Sequence, residues 1–194
     1  MVTVAYVVLV LAVSVQRMLE VRVSKLNEAE LRSRGGIEHA PEQMPVMIAV
    51  HSGWLVATLL EVLLLQRTFH GVTGFMFLVV FCAGQALRLS AIQALGSRWT
   101  VKVITLPGEA PIDAGIFRYL RHPNYLGVIL EIAALPLVHG AYLSAIVFSA
   151  LNGWLLRRRI RAEEAALDES GAYQAQFRGR PRLLPKLGSS EAGT

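Results

Sequence analysis

The chain is short of charge, of cysteine and of glycine-rich nucleotide loops, and each shortage removes a class of protein. Only 17% of its 194 residues are charged while 54% are hydrophobic, against about 25% charged in a typical soluble domain. That excludes an ordinary soluble enzyme and points to a chain that meets lipid. The single cysteine, Cys82, excludes an intrachain disulfide, and its place in an apolar run reads as a small core residue. No glycine-rich fingerprint of the soluble nucleotide-binding kind occurs, and there is no internal repeat or separate soluble domain. The first apolar run lacks the basic flank and small-residue cleavage pattern of a signal peptide, so it reads as retained.

What the chain does have is apolar length. Spanning the hydrocarbon takes about 20 residues, and five runs approach this: 2–19, 44–65, 72–95, 124–139 and 141–158. The last two meet at His139-Gly140-Ala141 with a single residue between them, which predicts a tight helical hairpin. The expected fold is an all-α integral membrane protein of five transmembrane helices, one domain over 1–194, with a small cytoplasmic cap at 159–187.

Basic residues exceed acidic ones, 19 to 14. All basic residues but Arg67 and Arg88 fall at the end of the first run and after it, between the third and fourth, or at the end of the fifth and after it. Five spans put these three segments on one side, which the positive-inside rule makes cytoplasmic. The expected location is the inner membrane, N-terminus outside and C-terminus cytoplasmic. Anionic lipid headgroups account for the basic excess, so no nucleic-acid partner is expected.

Between the runs, Glu20 to Ser33 reads as a surface helix ended by Gly35-Gly36. Residues 36–45 read as an irregular loop, and Trp99 to Ile104 alternates in a β-prone pattern.

Polar chemistry collects at Arg121-His122-Pro123-Asn124-Tyr125-Leu126-Gly127. Pro123 suits the first turn of a helix, whose free N–H groups and dipole then offer an anion site. Asn124, Gly127 and Glu131 share one face at spacings of three and four. A carboxylate such as Glu131 in hydrocarbon is costly and marks a candidate site; a simple helix cap is the plainer alternative for the HPNY segment. After the fifth run, Arg157, Arg161 and Glu164 share a face, and Arg159 stands one turn from Glu163. In the second run, His51, Thr58 and Glu61 lie on one arc and can face a common cavity or glue the bundle. Arg88 is expected to pair with His51, Glu61 or Glu131, since intramembrane charges seldom stand alone.

Gly84-x-x-x-Arg88, Leu95-Gly96, the segment from Gly115 to Gly127, Glu163-Glu164, Tyr173 and Arg182-Leu183-Leu184-Pro185 resemble the isoprenylcysteine carboxyl methyltransferase family over roughly the second half of the chain. The resemblance implies a membrane enzyme using S-adenosylmethionine, and no metal. It implies a cofactor pocket from His122, Asn124, Tyr125, Gly127 and Arg159, shaped by Pro123, with Glu163 or Glu164 on the ribose or amino-acid part. It also implies an arginine among Arg157, Arg159 and Arg161 near the substrate group. In the first half, Arg17-x-x-Glu20, Asn27-Glu28, Gly35-Gly36-x-Glu38 and the stretch from His51 to Glu61 resemble a bacterial branch acting on alkylpyrones and alkylresorcinols.

A lipophilic acceptor entering from the bilayer is therefore the expected partner, besides membrane lipids. A hydroxypyrone or carboxylate is already ionised near pH 7, whereas a resorcinol phenol, with a pKa of about 10, needs a base. His51, Glu61 and Glu131 are the candidates. An isoprenylated cysteine carboxylate, a phospholipid amine, a nicotinamide-dependent reduction and a transporter stand as alternatives.

Overall fold

The computed structural model describes residues 1–169 and 172–183. The chain runs α1 (Val2–Ser33), β1 (Ile37–His39), α2 (Gln43–Leu64), α3 (Gly71–Leu95), β2 (Val103–Thr105), α4 (Pro123–Val138), α5 (Tyr142–Leu167) and α6 (Ala172–Gln176), with short 3-10 turns at Gly96–Arg98 and Gly115–Arg118. Three helices are long and apolar enough to cross a membrane: Val2–Ser33, Gln43–Leu64 and Gly71–Arg98. Pro123–Val138 is apolar but shorter.

The apolar helices turn much of their hydrophobic surface outward. Val4, Val8, Leu11, Val15, Leu63, Phe75 and Val79 are all more than half exposed, a surface suited to contact with lipid. Cys82 lies on this outward side of α3 and is exposed, which corrects its reading as a core residue. Its neighbour Phe81 takes the inward position.

Helix α4 is the axis of the bundle. Ile132, Ala134 and Leu135 are essentially inaccessible and pack with Tyr6, Val10, Trp54 and Phe81. Without a hydrophobic difference between helix and lipid, such contacts hold by close packing. Gly84 and Gly127 bring α3 and α4 together: a Cβ on Gly127 would lie 2.7 Å from the Gly84 carbonyl and 2.6 Å from Arg88 Cγ.

Two expectations on the chain path change. Helix α1 does not break near residue 19, because no proline or glycine interrupts it before Ser33. At about 1.5 Å per residue it reaches about 48 Å, well beyond the ~30 Å hydrocarbon. Gly35, at φ +83°, ends it: Gly35 N–H donates to Arg32 O and Gly36 N–H to Leu31 O. The following loop is not irregular, nor is the protein wholly helical. Ile37, Glu38 and His39 pair antiparallel with Thr105, Ile104 and Val103. This ribbon ties the two interhelical connections together.

At the far end, Glu61 is fixed by structure. Its carboxylate accepts from Leu143 N–H (3.1 Å), Ser144 N–H (2.7 Å), Ser144 Oγ (2.8 Å) and Arg67 Nη2 (3.0 Å). Helix α5 has no side-chain cap of its own, so Glu61 supplies one from α2.

Candidate active site

A cavity of about 670 Å³ sits where the charged ends of the helices meet the β1–β2 ribbon and α6. One wall is apolar and comes from α1 and α2: Met18, Met44, Met47, Ile48 and Leu55. The opposite wall is polar and comes from α4 and α5: His122, Asn124, Tyr125, Arg159 and Glu163. Tyr173 and Phe177 of the C-terminal segment close one side.

The polar wall begins at the start of α4. Pro123 occupies its first turn, where its missing N–H costs nothing. His122 Nε2 lies 3.1 Å from Glu164 Oε1, and its ring stacks on Tyr125 with centroids 5.4 Å apart. The Tyr125 hydroxyl donates to Glu163 and accepts from Arg159 Nε at 3.0 Å. Arg159 also donates to the Val101 carbonyl, anchoring the connection after α3. One residue of α5 thus orients a phenol of α4 and a loop at once.

The C-terminal segment is clamped onto this wall. Arg121 N–H donates to Pro181 O and His122 N–H to Arg182 O, both at 3.0 Å. Arg182 donates to Glu164 through Nε (3.0 Å) and Nη2 (2.6 Å), and Arg180 holds Asp113. Leu184, Pro185 and the end of the expected cap at 187 lie outside the described residues.

Burial pushes the Glu164 carboxyl up, but the bonds from His122 and Arg182 outweigh it and hold it at about 2. A carboxyl depressed on folding stabilises above its unfolded value of about 4.3 and loses that contribution as pH falls. Amide protection at Arg121 and His122 is therefore expected to be full above about pH 4.5 and to fall progressively towards pH 2. Hydrogen exchange read by mass spectrometry, corrected for intrinsic rates, measures this. Protection unchanged across that window, or an identical profile in Glu164→Gln, contradicts it.

Beneath the cavity lies a four-charge network. Arg17 donates to Glu20 at 2.7 Å and to Glu131, and Arg88 donates to Glu20. Arg88 Nε stands 3.3 Å from Glu131 Oε1 as an ion contact, outside hydrogen-bond alignment. Arg88 thus pairs with Glu131, one of its three expected partners, and with Glu20. The network joins α1, α3 and α4, and Arg17, Glu20 and Arg88 reach the cavity wall.

The predicted residues therefore divide. His122, Asn124, Tyr125, Arg159, Glu163 and His51 line the cavity. Glu164 stands behind His122, and Pro123 sets the helix start. Gly127 does not line the cavity but packs on α3. Glu131 belongs to the charge network. Glu61 lies ten residues along α2 from His51, about 15 Å at helical rise, so the shared arc does not bring them to one cavity. Arg161 is exposed on the outer face of α5, because Arg159 and Glu163 occupy the inward turn. The part played by Lys102, Trp99 and Phe177 at the wall carries no recognisable motif. Arg17-x-x-Glu20 at the end of an apolar run was the available signal for the network.

The profile of the isoprenylcysteine carboxyl methyltransferase (ICMT) family matches residues 76–169. The Bacillus subtilis (strain 168) protein YpbQ, uncharacterized, is 35% identical over 159 residues, covering 80% of this chain and 92% of YpbQ. This chain belongs to the ICMT family. The family match spans most of α3 and all of α4 and α5, and so includes both sides of the polar wall. An uncharacterized protein of Haemophilus influenzae is 28% identical over 152 residues, covering 78% and 88% of the two chains. The protein-S-isoprenylcysteine O-methyltransferase of Schizosaccharomyces pombe is 31% identical over 88 residues, covering 44% of this chain and 37% of the yeast enzyme. Membership makes the protein a membrane methyltransferase by family, with the acceptor open.

Proposed function

We propose that this protein transfers a methyl group from S-adenosylmethionine to an oxygen of a lipophilic acceptor, a long-chain alkylresorcinol or alkylpyrone. The observation that carries this reading is the pairing of two unlike walls in one cavity. The polar wall offers unsatisfied groups: Asn124 Oδ1 and the Tyr173 hydroxyl are buried without a partner among the described residues. Burial, and then the Glu164 and Glu163 carboxylates, push the Tyr173 phenol up, so it remains a donor. With the Glu163 carboxylate, these supply acceptors and a donor suited to amino, hydroxyl and carboxylate groups, a set that fits the cofactor. The methionines of the other wall suit a hydrocarbon chain, being flexible and polarizable.

Bound there, the cofactor supplies an electrophilic methyl on a sulfonium centre. Glu163 would accept from cofactor hydroxyls, its carboxylate oriented by the Tyr125 hydroxyl, which Arg159 in turn holds. Tyr173 and Phe177 exclude water, and a dry cavity favours the step in which the sulfonium charge is cancelled by an ionised acceptor oxygen, as in a hydroxypyrone.

The proposed topology has five spans, α4 and the first part of α5 forming a hairpin within the bilayer. The N-terminus is outside and the cavity opens at the cytoplasmic face of the inner membrane. In support, the charged groups gather at the cavity end, with Glu61 and Arg67 at the other. The relation to the fission-yeast enzyme favours a second acceptor, an isoprenylated cysteine carboxylate.

Calorimetric titration of the detergent-purified protein is expected to show saturable S-adenosylmethionine binding. Asn124→Ala and Glu163→Gln are each expected to weaken it about tenfold, or about 1.4 kcal/mol. No saturable binding, or saturable binding of a reduced nicotinamide instead, overturns the reading. Labelled methyl incorporation into alkylresorcinol, alkylpyrone and farnesylcysteine then chooses the acceptor.

A further inference from the structure

We infer that His51 is the proton acceptor of the reaction and that the acceptor it serves is a neutral phenolic hydroxyl on a long hydrocarbon chain. The inference rests on the methyltransferase reading above and concerns the wall opposite the cofactor residues. His51 stands on α2, half-buried, in the cavity lining. Its Nδ1 lies 2.8 Å from the Met47 carbonyl, one helical turn back. A carbonyl can only accept, so Nδ1 carries the proton and Nε2 is left with its lone pair. Nε2 has no hydrogen-bond partner among the described residues. The bond to Met47 therefore fixes both the ring orientation and the basic nitrogen.

The other bases on the cavity are already engaged. Glu20 is held by Arg17 and Arg88. Glu163 is taken by the Tyr125 hydroxyl, and His122 by Glu164. Behind the wall, Glu131 is held by Arg17 and Arg88. The lone pairs of a carboxylate paired to a guanidinium are engaged, whereas the imidazole of His51 keeps Nε2 open towards the cavity. The ring also sits among Met44, Met47, Ile48 and Leu55, so a headgroup delivered to Nε2 keeps its chain on the apolar wall.

The step balances simply. The phenolic O–H proton passes to His51 Nε2, and the oxygen lone pair forms the new O–CH3 bond. The S–CH3 bond breaks with its electron pair remaining on sulfur, and the imidazolium then releases its proton to water. Arg17 and Glu20 of α1, Arg88 of α3, Tyr125 of α4 and Arg159 and Glu163 of α5 share the cavity with the ring. An acid ionised at neutral pH, such as a hydroxypyrone or a carboxylate, has no proton to give and no need of His51.

The test compares wild type with His51→Asn on a pentadecyl resorcinol and on a hydroxypyrone of equal chain length. Single-turnover methyl transfer is followed between about pH 6 and pH 10, spanning the phenol's own pKa of about 10. Transfer to the resorcinol is expected to fall about 100-fold near pH 7 in the variant, with the gap closing as pH rises. Transfer to the pyrone is expected to change less than about threefold, well below what general-base loss produces. Binding of S-adenosylmethionine, held by the opposite wall, is expected to stay unchanged. Equal loss on both acceptors, no loss on the resorcinol, or a wild type that methylates only the pyrone or a carboxylate overturns the inference alone. Failure of the wild type to methylate any acceptor overturns the methyltransferase reading and this inference with it. Should His51→Asn lose its folded thermal transition, His51→Gln takes its place in the same comparison.

Discussion

Glu131→Ala is expected to destabilise the protein by about 3–5 kcal/mol, the cost of stranding buried charge. The reason lies in the arithmetic of the network: Arg17 and Arg88 bring two positive charges, Glu20 and Glu131 two negative ones. Glu131 is 1% exposed, so water cannot replace it. Removing it leaves two guanidinium groups sharing the single carboxylate of Glu20, one of them, Arg88, itself buried. For a chain of this length, thermal unfolding in detergent should fall by roughly 10 °C or more. Glu131→Gln keeps an acceptor but not the charge and should lie between. Replacing Glu131 and Arg88 together by leucine should recover much of the loss, because the penalty comes from the unpaired ion. A Glu131→Ala melting temperature within about 2 °C of wild type would show that the network carries little stability.

Gly127→Ala is expected to impair methyl transfer about 100-fold without removing any group from the cavity. The added Cβ meets the Gly84 carbonyl and Arg88 Cγ at distances that real contacts do not reach. Helices α3 and α4 must part, at about 1–3 kcal/mol for overpacking. The first turn of α4 carries Asn124 and Tyr125, and a displacement of about 1 Å there is enough for a 100-fold loss. Gly84→Ala separates this account from direct cofactor contact. Gly84 faces α4 across the same contact, where its Cβ would lie 2.9 Å from the Gly127 carbonyl, and it is not part of the cavity wall. The two variants should lose activity alike. A normal Gly84→Ala beside an impaired Gly127→Ala would return Gly127 to the cofactor.

Much of the candidate site was legible because it is local. Pro123 at a helix start, Asn124 and Tyr125 one step on, and Arg159 one turn from Glu163 follow from helical period and proline stereochemistry. The errors share a cause. His51 and Glu61 lie on one arc of α2, but an arc gives angle and not depth. Glu61 meets the start of α5, which has no cap of its own, while His51 meets the cavity. Arg161 shares its helix with Arg159, yet its side chain turns outward, away from the cavity.

Hydropathy and turn chemistry alone determined that the chain enters a membrane, where α2 and α3 run, that α4 and α5 form a hairpin, and that Gly35 stops α1. These depend on neighbours within a few residues, whose free energies are decided before any tertiary contact forms. Only the tertiary structure decided that Ile37–His39 and Val103–Thr105 pair as a ribbon, that Cys82 faces outward, and that Arg17 finds Glu131 at a separation of 114 positions. Charges in a low-dielectric interior must pair wherever packing delivers a partner, and no local pattern encodes which helix delivers it.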